Sequence, residues 1–301
     1  MSGRDPSWRV RAPAKINLDL RVLRRRPDGF HAVATVLQSV ALHDTLSISA
    51  RGGPLTVRSA ARSVPADRDN LVWTAGAALW RALGRTGDPA GAAVVIRKRV
   101  PAAAGLGGAS SDAAAALLAL RSCWQPSAGR RLLEEVAARV GSDVPFFLRG
   151  GTVRATGRGE RLRRLAALQP YWVVLAVPDF GVSTADAYRW WDLDGQPGAS
   201  GDIAPAPSGW RRDPRRLRND LEAPVARRHP EIRGLAARLR DAGALHAALT
   251  GSGSVVFGLF ESRARAGGAR RALLAAGVHA LLTRTIDSVA CARLAAVARI
   301  E

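Results

Sequence analysis

The segment that most restricts how this chain can fold is the glycine-rich run at residues 101–116, PAAAGLGGASSDAAAA. A β-branched stretch, AAVVIRKR at 92–99, leads into it, and an Ala/Leu stretch at 112–124 leads out. The pattern predicts strand, loop and helix in immediate succession. Gly105, Gly107 and Gly108 allow backbone shapes closed to other residues and let amides approach a ligand closely. A helix beginning near Ser110 presents free N–H groups and a partial positive charge. Together these form an anion site suited to a triphosphate. Ser110 and Ser111 can add hydroxyl donors, or one can reach Mg2+. A flexible turn with a serine cap fits the same letters. The run is neither a Walker loop, since Gly-Lys-Ser/Thr is missing, nor a GxGxxG fingerprint.

Three further segments carry side chains able to do chemistry. In Pro13-Ala-Lys15-Ile-Asn17, Lys15 is one of only two lysines, with Lys98, among 45 basic residues. A compact ammonium stands where the habit of the chain is a guanidinium. It can stabilise a transferring phosphoryl group or an attacking alkoxide, or it is a surface lysine at a strand start. In GSDVPFF at 141–147, Asp143 precedes Pro145. That is a helix cap with proline in the first turn, or a carboxylate that orients or deprotonates a substrate hydroxyl; the two are not exclusive. Thr250-Gly251-Ser252-Gly253 lies between two apolar stretches, as a tight hairpin loop or as backbone brought close to a ligand.

The net charge of +20 raises the question of nucleic acid. The arginines are spread along the chain in short clusters, no nucleic-acid-binding module is visible, and abundant Arg, Ala and Gly read as a GC-rich coding bias. No nucleic-acid partner is expected. No apolar run approaches the roughly 20 residues of a membrane helix. The first residues are polar, and the two cysteines are isolated, so the expectation is a cytoplasmic monomer or homodimer. Apolar residues at 47% suffice for a real core. Strands are expected at 10–23, interrupted there by a polar stretch, and at 44–50, 92–99, 152–161, 172–177, 245–249 and 255–260. Helices are expected at 70–83, 112–124, 130–140, 145–148, 230–242 and 265–276, with a strand or helix at 288–298 and a long loop at 192–214. Composition changes near Gln169-Pro170, which divides the chain into 1–168 and 169–301. The irregular mixture favours α+β over a doubly wound sheet.

In order and spacing, Pro13-Ala-Lys15-Ile-Asn17-Leu18, the glycine–serine loop, residues 141–147 and Thr250 to Gly253 resemble the GHMP kinase superfamily. Finer features are Arg26-Pro-Asp28-Gly29-Phe30-His31, Leu42-His-Asp44-Thr45-Leu46, Asp69-Asn70-Leu71, Gly181-Val-Ser-Thr184 and Asn219-Asp220-Leu221-Glu222. They look like its branch that phosphorylates a cytidine-diphosphate-bearing methylerythritol in non-mevalonate isoprenoid synthesis. The resemblance implies an α+β, two-domain GHMP kinase fold, with a ribosomal-S5-like N-terminal domain and a ferredoxin-like C-terminal domain. It implies ATP and Mg2+. Pro101, Ala102, Ala103, Ala104, Gly105, Leu106, Gly107, Gly108, Ala109, Ser110 and Ser111 would hold the phosphates, with Asn70 near the adenine and Ser111 a candidate Mg2+ ligand. Lys15 and Asp143 would be the catalytic pair. Asn17, Thr184 and Gly251 would help hold the substrate, His31 would read the cytosine edge, and Phe30 and Tyr188 would stack on the base.

Two departures from the family pattern are Phe30, where tyrosine is usual, and Ala109, where a third glycine is usual. Residues 192–216 have no match. Two other readings stay open: a GHMP kinase acting on a polyol or amino-alcohol, and a non-catalytic arginine-rich nucleic-acid binder.

Overall fold

The computed structural model describes residues 6–62, 64–195, 209–210 and 213–300. Strand β1 (Ser7–Arg25) alternates apolar and polar residues from Val10 to Val22, and its apolar face is buried. The residues of the other face, Lys15, Asn17 and Asp19, are buried as well. The stretch expected to be interrupted is one long strand, because bulges between Pro13 and Lys15 and between Asn17 and Asp19 let it bend without ending. β2 (His31–Pro54) pairs with it antiparallel. Only its 44–50 part was legible as a strand. Residues 33–40 are buried on both faces, so they show no alternation to read.

After β3 (Thr56–Ser59) comes α1 (Leu71–Ala82), capped by Asn70, whose Oδ1 accepts from Val72 N. Then follow β4 (Ala90–Arg97), α2 (Gly108–Trp124), α3 (Arg130–Val140) and α4 (Val144–Arg149). The strand expected at 152–161 is a hairpin, β5 (Thr152–Gly157) and β6 (Arg161–Arg164). Gly157 and Gly159 at positive φ turn the chain between them.

The second half holds β7 (Trp172–Val177), α5 (Thr184–Leu193), α6 (Glu222–Arg228), α7 (Glu231–Asp241), β8 (His246–Leu249) and β9 (Val256–Phe260). It continues with α8 (Arg263–Ala275), β10 (His279–Arg284), α9 (Ser288–Leu294) and β11 (Ala298–Ile300). α5, α6 and β10 were not foreseen. The long loop expected at 192–214 begins as the last turn of α5, and most of the rest lies outside the described residues. The closing element is both a helix and a strand.

Among the described residues, seven strands form one sheet, ordered β11-β1-β2-β4-β3 with β5 and β6 joined through β2. Four form an antiparallel sheet, ordered β10-β7-β9-β8. The β-α-β-β-α-β course of that second sheet is the expected ferredoxin-like arrangement, and the α+β class is the one observed. β11 returns to the first sheet and pairs with β1.

Three cores hold the layers together. One joins α1 to α4 with the first sheet through Val72, Leu79, Leu120, Phe146, Ile48 and Val94. One joins α5 to α8 with the second sheet through Trp191, Leu235, Leu239 and Phe260. The third lies between the two sheets, with Ile16, Leu18 and Val36 against Val173, Leu175 and Phe257. β1 runs through all three, so its polar face, with Lys15 on it, lies at the junction. Among the described residues no helix is long and apolar enough to cross a membrane.

Candidate active site

Lys15 is 4% exposed. Its Nζ donates to Asn17 Oδ1 at 2.6 Å and to the Gly105 carbonyl at 2.8 Å, and lies 4.0 Å from Asp143 Oδ2. Asn17 is held in turn: its Nδ2 donates to Thr35 Oγ1, and its backbone N–H donates to Thr250 Oγ1. The ammonium is thus aimed before any ligand arrives. Burial lowers the Lys15 pKa, and the charge of Asp143 opposes that shift. Asp143 stands at the start of α4 but its side chain makes no capping bond. Of the two sequence readings of Asp143, the cap is not used, and the carboxylate is left half-exposed and facing the cleft.

The glycine run leads from β4 into α2. Gly105 and Gly107 have φ of 73° and 69°. A Cβ on Gly105 would overlap the Thr250 carbonyl, and one on Gly107 would come within 2.7 Å of the Phe147 ring. Both positions therefore need glycine for conformation and for space. α2 begins at Gly108 without a side-chain cap, which leaves its first N–H groups to whatever lies in front of them. Ala104 and Leu106 anchor the loop in the core between the sheets. Ala109 sits within the helix, a conformation alanine favours, so the missing third glycine costs nothing there. Within the loop, Ala103 is a non-glycine residue at positive φ, 50°.

One expectation needs correction. Ser111 is fully buried, and its hydroxyl donates to the Pro13 carbonyl at 2.7 Å, tying α2 to β1. It does not line the cleft; Ser110 does. One residue along a helix rotates the side chain by about 100°, enough to exchange the two roles. Asn70 lines the cleft with its amide already committed, Oδ1 to the N–H of Val72 and Nδ2 to the Pro65 carbonyl.

A cluster beneath the cradle escaped the sequence reading. Lys98 Nζ donates to Asp44 Oδ2 at 2.5 Å and to Asp112 Oδ2 at 2.8 Å. Asp44 Oδ1 also accepts from Arg99 N and Val100 N. One carboxylate therefore holds the entry to the loop, the other its exit, and the lysine joins them. Burial works against the Lys98 ammonium, but the two carboxylates outweigh it and raise its pKa. The scarcity of lysine was the one signal that could have marked this residue.

At the other end, Phe30 is 57% exposed, with the Arg158 guanidinium 5.2 Å over its ring. His31 stacks on Tyr188, and its Nε2 lies 2.9 Å from Asp192 Oδ1. One face of Tyr188, expected to cover a base, is thus on His31. Burial, and secondarily the charge of Asp143, raises the Tyr188 pKa and keeps its hydroxyl neutral. Thr184 Oγ1 and Ser252 Oγ are 3.2 Å apart and connect the start of α5 to the glycine loop. Gly251, at φ 58°, packs on Gly105, and its carbonyl accepts from Asn219 Nδ2.

These residues line a single cleft of about 1230 Å3. It runs from Asn70 and the cradle, past Lys15 and Asp143, to Phe30, His31 and Tyr188. A site for one small ligand spans roughly 300–1,000 Å3, so there is room for two placed end to end. Lys15 and Asp143 lie between the two ends.

Two family models match, "GHMP kinases N terminal domain" over residues 70–151 and "GHMP kinases C terminal" over 210–279. The chain is 45% identical to a 4-diphosphocytidyl-2-C-methyl-D-erythritol kinase of Pelotomaculum thermopropionicum, over 82% of this chain and 87% of that protein. It is 39% identical to the Bacillus subtilis protein of the same name, over 83% and 87%. A crystal structure of 4-(cytidine 5'-diphospho)-2C-methyl-D-erythritol kinase superposes with a TM-score of 0.77 at 34% identity, over 92% of this chain and 98% of that one. A homoserine kinase from Cytophaga hutchinsonii shares the fold at 18% identity, TM-score 0.71, over 100% and 99%.

Proposed function

The chain belongs to the 4-diphosphocytidyl-2-C-methyl-D-erythritol kinase family of GHMP kinases, and from that premise we propose that it phosphorylates the 2-hydroxyl of 4-diphosphocytidyl-2-C-methyl-D-erythritol. That step belongs to isoprenoid precursor synthesis. The observation that carries the reading is the position of Lys15 and Asp143, 4.0 Å apart, midway along a cleft with an anion cradle at one end and aromatic rings at the other.

The cradle fits a nucleotide. Uncapped N–H groups open α2, and the backbone of Gly105 and Gly107 has no room for a Cβ. Gly105 to Ser110 would hold the phosphates, with Asn70 at the nucleoside end. ATP supplies the transferable phosphoryl group when bound. Mg2+ would ride on its phosphates, with Ser110 as the hydroxyl beside them. The protein's own part is positioning and charge, as phosphoryl transfer requires. Asp143 accepts the proton of the substrate hydroxyl. Lys15, fixed by Asn17 and Gly105, neutralises charge where that oxygen meets the phosphoryl group. Phe30, Tyr188 and His31 hold the base, so the diphosphate spans the interval to Asp143.

The test is ADP release by purified protein given ATP, Mg2+ and the diphosphocytidyl methylerythritol. Removing a positioned base lowers turnover by roughly 10²–10⁴-fold, and Asp143→Ala is expected within that range with the fold intact. Lys15→Ala should show a comparable loss. CMP should compete with the diphosphocytidyl substrate. Substrate-independent ADP release, or full activity in Asp143→Ala, would overturn the assignment.

A further inference from the structure

One helix constrains His31 from three sides. Asp192 Oδ1 lies 2.9 Å from Nε2. The Tyr188 ring is stacked on the imidazole, centroids 4.9 Å apart and 15° from parallel. The fully buried Trp191 meets it at 84°, with centroids 5.4 Å apart. All three partners stand on α5. The His31 side chain is 7% exposed, so the ring has little freedom to turn.

A carboxylate only accepts, so the hydrogen between Nε2 and Oδ1 belongs to the imidazole. In the neutral ring that leaves Nδ1 with a lone pair and no hydrogen. The side chain then offers a ligand an acceptor and nothing else. Cytosine carries an amino group at C4, and uracil carries a carbonyl there. An acceptor pairs with the first and opposes lone pair to lone pair with the second.

Resting on the reading that a cytidine group occupies this end of the cleft, we propose that Asp192 is the positioning residue for base specificity. By holding His31 as its Nε2–H tautomer, it turns Nδ1 into the acceptor that selects a 4-amino over a 4-oxo pyrimidine. Asp192, which itself lines the cleft, acts through the His31 ring. The general physics is that a site built around a hydrogen bond rejects a ligand that cannot make it, because the buried group is left unpaired.

Titration calorimetry with CMP and with UMP, on the full chain in mildly alkaline buffer, tests this alongside NMR of the imidazole nitrogens. The variants are Asp192→Ala and Asp192→Glu. Wild type is expected to prefer CMP and to show His31 protonated at Nε2. Asp192→Ala should narrow the CMP-to-UMP affinity ratio by about tenfold or more, the order of one lost hydrogen-bond pairing, and should shift the tautomer. Asp192→Glu, which restores a carboxylate, should recover part of both. An unchanged ratio or an unchanged tautomer in Asp192→Ala overturns the role of Asp192 and leaves the cytidine reading standing. Failure of wild type to prefer CMP overturns both. Should Asp192→Ala not fold, the wild-type spectrum decides alone, since a hydrogen on Nδ1 contradicts the proposal.

Discussion

Individual side chains in this protein are tuned by what surrounds them. His246 is buried on β8, and burial, helped by the charge of Arg240, pushes its pKa down to about 4 from 6.5. Its buried Nε2 has no hydrogen-bond partner. The folded state therefore refuses a proton that the unfolded chain takes up below pH 6.5. The contribution of His246 to stability therefore falls as pH drops from 6.5 toward 4, and levels off below that. Between pH of about 7 and about 5 the linkage amounts to roughly 2 kcal/mol. The difference in unfolding free energy between wild type and His246→Leu, read from urea unfolding at both pH values, should change by that amount, because the buried Asp112, raised to about 7, and the other titrating groups act alike in both proteins. Lys15 is the contrasting case: burial lowers its pKa too, but its Nζ has Asn17 Oδ1 and the Gly105 carbonyl as acceptors and Asp143 4.0 Å away.

Whole elements owe their positions to a few backbone demands. The start of α2 depends on Gly105, whose positive φ and contact with the Thr250 carbonyl admit no side chain. Gly105→Ala combines a left-handed alanine with a backbone collision. It is expected to cost about 2 kcal/mol or more and to raise the KM for ATP more than it lowers kcat. Thermal melts and initial rates would show both. Ala109 makes the contrasting case. It is helical, so Ala109→Gly should lower stability by roughly 0.5–1 kcal/mol and leave the KM unchanged, although glycine is the residue the family pattern has there. α5 is the element on which the His31 end of the cleft depends, since Tyr188, Trp191 and Asp192 reach His31 from it.

At the scale of the molecule, the two sheets do not stand apart. Ile16 and Leu18 of the first meet Val173, Leu175 and Phe257 of the second, all fully buried, and β11 carries the C-terminal segment back to β1. Lys15 and Asn17 are on one sheet, and the 250–253 loop, whose Thr250 Oγ1 accepts from Asn17 N, joins two strands of the other. The sheets should therefore unfold together, in one calorimetric transition. Phe257→Ala removes a large side chain from the shared layer and is expected to cost about 3–5 kcal/mol. It should lower that single transition as a unit. Two separated transitions would contradict a shared core.

Read alone, the letters were enough for the strand–loop–helix around Gly105, the oddity of Lys15 and the carboxylate of Asp143. Each of these depends on near neighbours, such as alternation, glycine placement or a cap signal. They were enough also for the α+β class, because order and spacing of such local signals are what a family shares. Other features depended on segments far apart in the chain. The 33–40 part of β2 is buried on both faces, so periodicity was silent. Ser111 and Ser110 differ only by a helical rotation against β1. Lys98 acquires meaning only between Asp44 and Asp112, 54 and 14 residues away. His31 meets Asp192 across 161 residues. Residue types and local backbone shape settled which chemistry the chain could do. Long-range packing decided which groups meet, because a hydrogen bond forms only within about 3 Å, and nothing in a neighbouring letter reports that distance.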